Sequence, residues 1–219
     1  MTVLVEAAVD SLDDALAAVD GGADRLELCA NLSVGGTTPD RTLIEAVLGR
    51  VEIPVYAMIR PRGGSFVYSG DELDGMRRDL ESAIAAGCAG VVLGVLDHTN
   101  RVDVEQTRLL ADIAGGERVT FHRAFDRTPD IFAAADAIIS IGISRVLTSG
   151  GASNAQEGAE VLAALIDHCA GRLEILAGGG VRAHNVCDII RRGKVREVHA
   201  RCECDAGRVR AIKESVSKC

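Results

Sequence analysis

Eight times along this chain a short run of β-branched or leucine-rich residues gives way to a longer amphipathic stretch rich in Ala, Leu and acidic groups. That rhythm is the mark of strands alternating with helices. The strand candidates are Val3–Ala7, Arg25–Leu28, Val55–Ile59, Gly90–Val95, Arg118–His122, Ser144–Thr148, Glu174–Ala177 and Glu197–Ala200. Helices are expected to start near Ser11, Pro39, Asp71, Asp103, Thr128, Asn154, Arg182 and Asp205, several of which are N-cap residues or an early Pro. Glycines in "GGAD" at 21, "AAGCAG" at 85 and "SIGIS" at 140 stand where a helix should stop before the next strand. No linker or low-complexity segment interrupts the 219 residues, so one domain spanning 1–219 is expected. Eight strand–helix units joined by right-handed crossovers predict an α/β fold, a parallel (β/α)8 TIM barrel, with a doubly wound open sheet as the alternative. Either places the ligand at the C-terminal ends of the strands.

Charge and composition exclude several classes of function. A net charge of -8 argues against nucleic acid as a partner, because that needs a positive surface to displace counterions. The opening "MTVLVEAAVDSLDDA" has no basic leader and too short an apolar run for a signal or membrane span, which predicts a cytoplasmic protein with no membrane partner. Seven cysteines, an odd count without a C-x-x-C pair, are expected to be reduced thiols. Aromatics are 3% and Trp is absent, so Ala, Val, Leu and Ile must fill the core.

The strand ends carry the chemistry. Strand 1 is expected to end at Glu6 and strand 2 at Glu27; strand 3 runs into Arg60 and Arg62, and strand 5 delivers His122, Arg123 and Asp126. Period-two alternation sends Val3, Val5, Leu26, Leu28, Val119 and Phe121 to one face and Glu6, Glu27 and His122 to the other. Strands 6 and 7 end in "LTSGG" and "LAGGGV". There Thr148, Ser149 and the Gly178–Gly179–Gly180 turn could bring backbone amides to an anion, helped by a helix starting near Arg182. Three arginines balance Glu6, Glu27 and Asp126, so the carboxylates could simply orient the arginines. That leaves His122 as the group best able to exchange a proton near neutral pH, with His199 as a second imidazole at the same level.

Sulfur offers a different chemistry. Cys202 and Cys204 in "RCECD" could face one soft ion such as Cu(I), with Cys29 at the end of strand 2 as a third sulfur. A free cysteine is also commonly just a small buried hydrophobe. The spacings that signal zinc are absent.

Taken in order, "GADRLELC" (22–29), "GGTTPD" (35–40), "IPVYAMIRPRGGSFVYS" (53–69), "VTFHRAFD" (119–126), "RVLTSGG" (145–151), "AGGGVRAHNV" (177–186) and "EVH" (197–199) resemble the CutC family, named for copper homeostasis. The resemblance implies a cytoplasmic TIM barrel, often a homo-oligomer, linked to copper handling, with Cu(I) binding as one option and no established reaction. Its motifs match Glu6, Glu27, Cys29, Arg60, Arg62, His122, Arg123, Asp126, Thr148, Ser149, Gly178, Gly179 and His199. After His199 the chain departs from the family: "ARCECDAGRVRAIKES" enters the last helix almost directly, so Cys202 and Cys204 do not carry over as family ligands.

Three functions follow as expectations. One is copper homeostasis, for which Cys29 is the chief matched sulfur. The second is an enzyme of isomerase or lyase type acting on a small phosphorylated or carboxylated metabolite. In it Arg60 and Arg62 clamp the anion, the Gly178–Gly180 turn receives phosphate, and His122 works as general acid or base beside Glu6 or Glu27. The third is a barrel with a vestigial mouth whose surface binds partners. None calls for an organic cofactor.

Overall fold

The structure, a computed structural model, describes residues 3–219 apart from the side chain of Glu117. The strands are β1 (Leu4–Val9), β2 (Arg25–Leu28), β3 (Val55–Met58), β4 (Gly90–Leu93), β5 (Val119–Phe121), β6 (Arg145–Thr148), β7 (Glu174–Gly178) and β8 (Glu197–Arg201). The helices between them are α1 (Leu12–Asp20), α2 (Arg41–Leu48), α3 (Gly70–Ala86), α4 (Val104–Ala114), α5 (Ile131–Ile141), α6 (Ala159–Cys169), α7 (Val186–Gly193) and α8 (Ala206–Val216). All strands pair in parallel in sequence order, and β8 pairs with β1 to close a (β/α)8 barrel. The open-sheet alternative is therefore wrong. No helix among the described residues is long and apolar enough to cross a membrane.

The alternation holds through the barrel. Val5, Leu26, Leu28, Val119 and Phe121 are buried in the apolar layer shared with Ala15, Leu80, Ile138 and Leu162 of the surrounding helices. Hydroxyl and carboxylate caps begin the helices as the sequence suggests. Ser11, Asp103 and Asp205 each accept a backbone N–H from the first turn, and Ser69 with Glu72 forms a reciprocal capping box on α3.

Three helices start later than expected. Pro129 follows Thr128, and Asp130 caps α5 by accepting from Phe132 and Ala133, so the helix begins at Ile131. Gly150 and Gly151 lie at φ +70° and +72°, and Asn154 accepts from the Glu157 amide, so 150–158 turns before α6. The Arg182 amide is taken by the Asn185 side chain, which defers α7 to Val186. Strand 1 also runs past its expected end, to Val9, which sets Glu6 mid-strand and deep in the barrel.

The expectation of seven reduced thiols is corrected. Cys187 in α7 is bonded to Cys219, with Cα atoms 5.3 Å apart, because α7 packs against α8 and the chain's last turn folds back beside it. Cys29, Cys88, Cys169, Cys202 and Cys204 are free.

Gly90 opens β4, where a Cβ would stand 2.3 Å from the Arg118 carbonyl oxygen and 2.4 Å from the Tyr56 ring. Backbone cannot yield there. Gly90→Ala is expected to lower unfolding stability by ~1–3 kcal/mol, read from the midpoint of urea denaturation, with unchanged far-ultraviolet circular dichroism.

Candidate active site

A cavity of about 870 Å³ opens at the C-terminal end of the barrel. Glu27, Arg60, His122, Arg123, Asp126, Gly179, Gly180 and His199 all line it, so residues from β2, β3, β5, β7 and β8 meet as the strand ends implied. Its formal charge is informative. Arg60, Arg123, Arg127, Arg182 and Arg201 against Glu27, Asp126 and Glu203 leave two positive charges (5 − 3) on a protein of net charge -8.

One wall is a carboxylate–imidazole cluster. Glu6 is fully buried; Arg25 Nε donates to its Oε2 at 2.5 Å and His199 Nδ1 to its Oε1 at 2.7 Å. Because a carboxylate only accepts, the His199 hydrogen on that side sits on Nδ1. Burial would raise the Glu6 pKa, but Arg25 and His199 outweigh it and bring it down to about 2. His199 Nε2 faces Glu27 Oε2 at 3.7 Å. Burial works against the imidazolium, yet the Glu27 and Glu6 carboxylates prevail and raise the His199 pKa. Glu27, 3% exposed, is raised chiefly by its burial, and its Oε1 has no hydrogen-bond partner. Both groups have raised pKa values and face each other, so the charge on one bears directly on the protonation of the other.

The opposite wall is cationic. Arg60 is 5% exposed and, among the described residues, makes no ion pair. Its guanidinium donates to the carbonyls of Val34, Gly36 and Gly64, its Nε has no partner, and its Cζ lies 4.7 Å from the centroid of the Phe66 ring. A buried cation with only neutral partners is costly unless an anion joins it. Phe66 also packs against His122, centroids 4.9 Å apart. His122 Nδ1 accepts the Ala124 amide, so the neutral ring carries its hydrogen on Nε2, which is buried and unpartnered. Burial, with Arg60 beside it, drives the His122 pKa down to about 3. The expectation that His122 exchanges protons near neutrality therefore changes: it stays neutral and offers a hydrogen-bond donor.

Other predicted residues take structural posts. Arg62 turns away from the cavity: it binds Glu72 at 2.6 Å, donates to the Ser65 and Val67 carbonyls, and pins the loop that carries Phe66. It does not clamp an anion beside Arg60. Asp126 accepts from the Thr148 and Ser149 hydroxyls and from the Ser149 and Gly151 amides, besides pairing with Arg123 at 2.8 Å. The "LTSGG" amides are thus filled by the chain's own carboxylate, and Asp126, Thr148, Ser149 and Arg123 brace one another. Gly178 lies inside the barrel, where a Cβ would meet Leu147 at 2.5 Å; Gly179 and Gly180 hold the rim at φ +102° and +73°.

Among the described residues Cys29, Cys202 and Cys204 do not gather into one three-sulfur group. Cys29 is buried, and its thiol donates to Glu27 Oε2 at 3.5 Å; burial and that carboxylate hold its pKa well above the usual range. Cys202 is buried next to Asp14, its thiol pushed up to about 12 by burial and that carboxylate, while Cys204 is exposed. Among the described residues, the one group of three such donors within 4.8 Å of one another is Glu6, Glu27 and His199.

Sequence reasoning missed the floor beneath this site. Arg25 also donates to Glu197 at 2.6 Å, Arg145 donates to Glu197 at 2.9 Å, and the Tyr56 ring lies 5.4 and 5.5 Å from the two guanidinium carbons. The signal was present: Arg25, Tyr56, Arg145 and Glu197 lie two residues before Glu27, Met58, Leu147 and His199, on the same inward face.

The CutC family profile matches residues 3–204. The chain belongs to the CutC family. Named CutC proteins from Xylella fastidiosa and Sinorhizobium medicae are each 46% identical to it, over 90% of this chain and 73% of the first relative and over 91% of this chain and 81% of the second. The crystal structure of a CutC protein from Streptococcus agalactiae, to which copper homeostasis is ascribed, superposes with a TM-score of 0.85 at 35% identity, covering 90% of this chain and 98% of that one. Phosphoribosylanthranilate isomerase from Thermotoga maritima, at a TM-score of 0.66 and 15% identity over all of both chains, shares the fold alone.

His199 and His122 should separate on titration. Across pH 5–8 the ring resonances of His122 in nitrogen-15 NMR are expected to stay those of a neutral imidazole with the hydrogen on Nε2, while those of His199 report an imidazolium persisting above its ordinary pKa of ~6.5. Because the His122 pKa is depressed when folded, its contribution to stability is present above pH ~6.5 and is lost as pH falls toward 3.

Proposed function

We propose that this CutC-family protein is an enzyme acting on a small anionic metabolite, by proton transfer next to a carbonyl group, as in an isomerase or lyase. The observation that carries this reading is Arg60: a buried guanidinium with no carboxylate partner, on the wall of a cavity shared with the unpartnered His122 Nε2–H. In this reading the phosphate or carboxylate of the metabolite supplies the missing countercharge. The His122 hydrogen is directed at the carbonyl oxygen, where negative charge develops as the neighbouring C–H bond breaks. A neutral imidazole suits that task, since it stabilises an oxyanion without first losing its own proton to solvent. The Glu27–His199 pair takes the carbon-bound proton and returns it, with Glu6 holding His199 in orientation.

Direct Cu(I) binding is the second reading, favoured by the role ascribed to the streptococcal relative. Copper would be cargo here. Soft Cu(I) seeks several sulfurs; those near the mouth are the Met58 thioether, which lines the cavity, and the buried, protonated Cys29 thiol packed against it, set among carboxylates, imidazoles and guanidiniums that repel a cation. Those residues fit an anion better than Cu(I). In the anion reading the protein works in the cytoplasm and as a homo-oligomer, in keeping with its family.

Inorganic phosphate is the probe for the anion seat. Titration calorimetry at low ionic strength is expected to show one phosphate per chain, weakened at least tenfold by Arg60→Gln and unchanged by Arg41→Gln on the outer face of α2 or by Cys29→Ser. Equal binding by the wild type and Arg60→Gln would sink the anion reading, and loss of Cu(I) binding in Cys29→Ser with no phosphate effect in any variant would favour the copper reading.

A further inference from the structure

Glu6, Glu27 and His199 bring one donor atom each to within 4.8 Å of one another, and their spacing has a use beyond proton exchange. His199 Nε2 and Glu27 Oε2 are 3.7 Å apart, too far for a hydrogen bond between them. Two ligands ~2.0–2.1 Å from a zinc ion at a tetrahedral angle stand about 3.4 Å apart, so this gap is close to the span of a ligand pair. Glu27 Oε1 adds a second oxygen that is buried and unpartnered, on a residue that lines the cavity.

Behind the pair, Glu6 receives the hydrogen of His199 Nδ1 at 2.7 Å. That is the arrangement by which a carboxylate fixes the tautomer of a metal-binding histidine and presents its other nitrogen as an electron-pair donor. Both oxygens of Glu6 are occupied, one by His199 and one by Arg25, so Glu6 supports rather than ligates. Glu27 and His199 both line the cavity, so a cation held between them would be within reach of water or of an oxygen of a bound molecule.

We propose that His199 and Glu27 form a binding site for a divalent cation of zinc-like chemistry, with Glu6 as its supporting carboxylate. Nitrogen and carboxylate oxygen suit a borderline dication and not Cu(I). A cation bound there occupies the lone pairs of His199 Nε2 and Glu27 that would otherwise accept a proton. This site rests on the reading of the cavity as an active site only for its consequence: an occupied pair no longer accepts a proton, so the cation regulates the reaction that the pair serves. Binding itself can be judged without any substrate.

The test uses the full chain stripped with a chelator and titrated with zinc chloride alone, phosphate absent, with competition against a chromophoric chelator for affinity and zinc K-edge absorption for the ligand set. The expected result is one ion per chain with one imidazole and otherwise oxygen neighbours. His199→Gln and Glu27→Gln are each expected to weaken it at least tenfold, and Glu6→Gln by roughly ten- to hundredfold, as for a supporting carboxylate. Cys29→Ser and a Cys202→Ser/Cys204→Ser double variant should leave it unchanged. Since Glu6→Gln removes the partner of buried Arg25, its thermal unfolding is recorded alongside; Glu27→Gln keeps shape and volume and decides the matter if that variant unfolds. Zinc bound through sulfur, zinc binding equal in wild type and Glu27→Gln, or no binding at all would overturn the site. Phosphate binding lost only in Arg60→Gln keeps the anion reading standing whichever way zinc falls.

Discussion

Glu6 holds a negative charge where no solvent reaches it, and the architecture of the barrel follows from keeping that charge satisfied. Its two partners come from the strands on either side, Arg25 from β2 and His199 from β8, each in direct register with it. These three strands form the seam at which the barrel closes. A slip of one residue in either pairing would turn a buried ion toward the apolar helix layer and leave Glu6 unpaired, a cost of several kcal/mol. The ion pair thus specifies register at the seam, and the charged floor of Arg25, Glu197 and Arg145 extends the same specification to β6.

This seam also divides the mouth into two unlike walls. On the β8–β1–β2 side, anionic and imidazole groups satisfy one another in a compact cluster. On the β3–β5 side, Arg60 and His122 are held by backbone and by Phe66, with no opposing charge. A ligand in the cavity meets a positive, hydrogen-donating surface at one end and a proton-accepting surface at the other. Burial produces both effects: it depresses an imidazole beside a guanidinium and raises one between two carboxylates.

Much of this was legible in the sequence because strand periodicity carries over directly into three dimensions. Glu27, His122 and His199 could be placed on the cavity wall by counting in twos, and the helix caps at Ser11, Asp103 and Asp205 by their side-chain chemistry. Arg62 could not, because it lies beyond the last residue of β3 in a loop, where no period fixes its direction and Glu72 competes for it. Asp126 was placed at the mouth correctly, but its role depended on which loop folds across which: only the fold shows that the β6 turn wraps its carboxylate. The Cys187–Cys219 pairing likewise depends on the docking of α7 against α8, which no local pattern encodes.

The carboxylate of Asp126 behaves as a resident ligand. It occupies the amide-lined turn after β6, and because it is tethered three residues from the Arg123 that also holds it, an external anion would have to displace an intramolecular partner to enter there. The turn is thereby withdrawn from ligand binding. The mouth is thus shaped partly by subtraction: the chain itself closes one of the turns whose amides point toward the cavity.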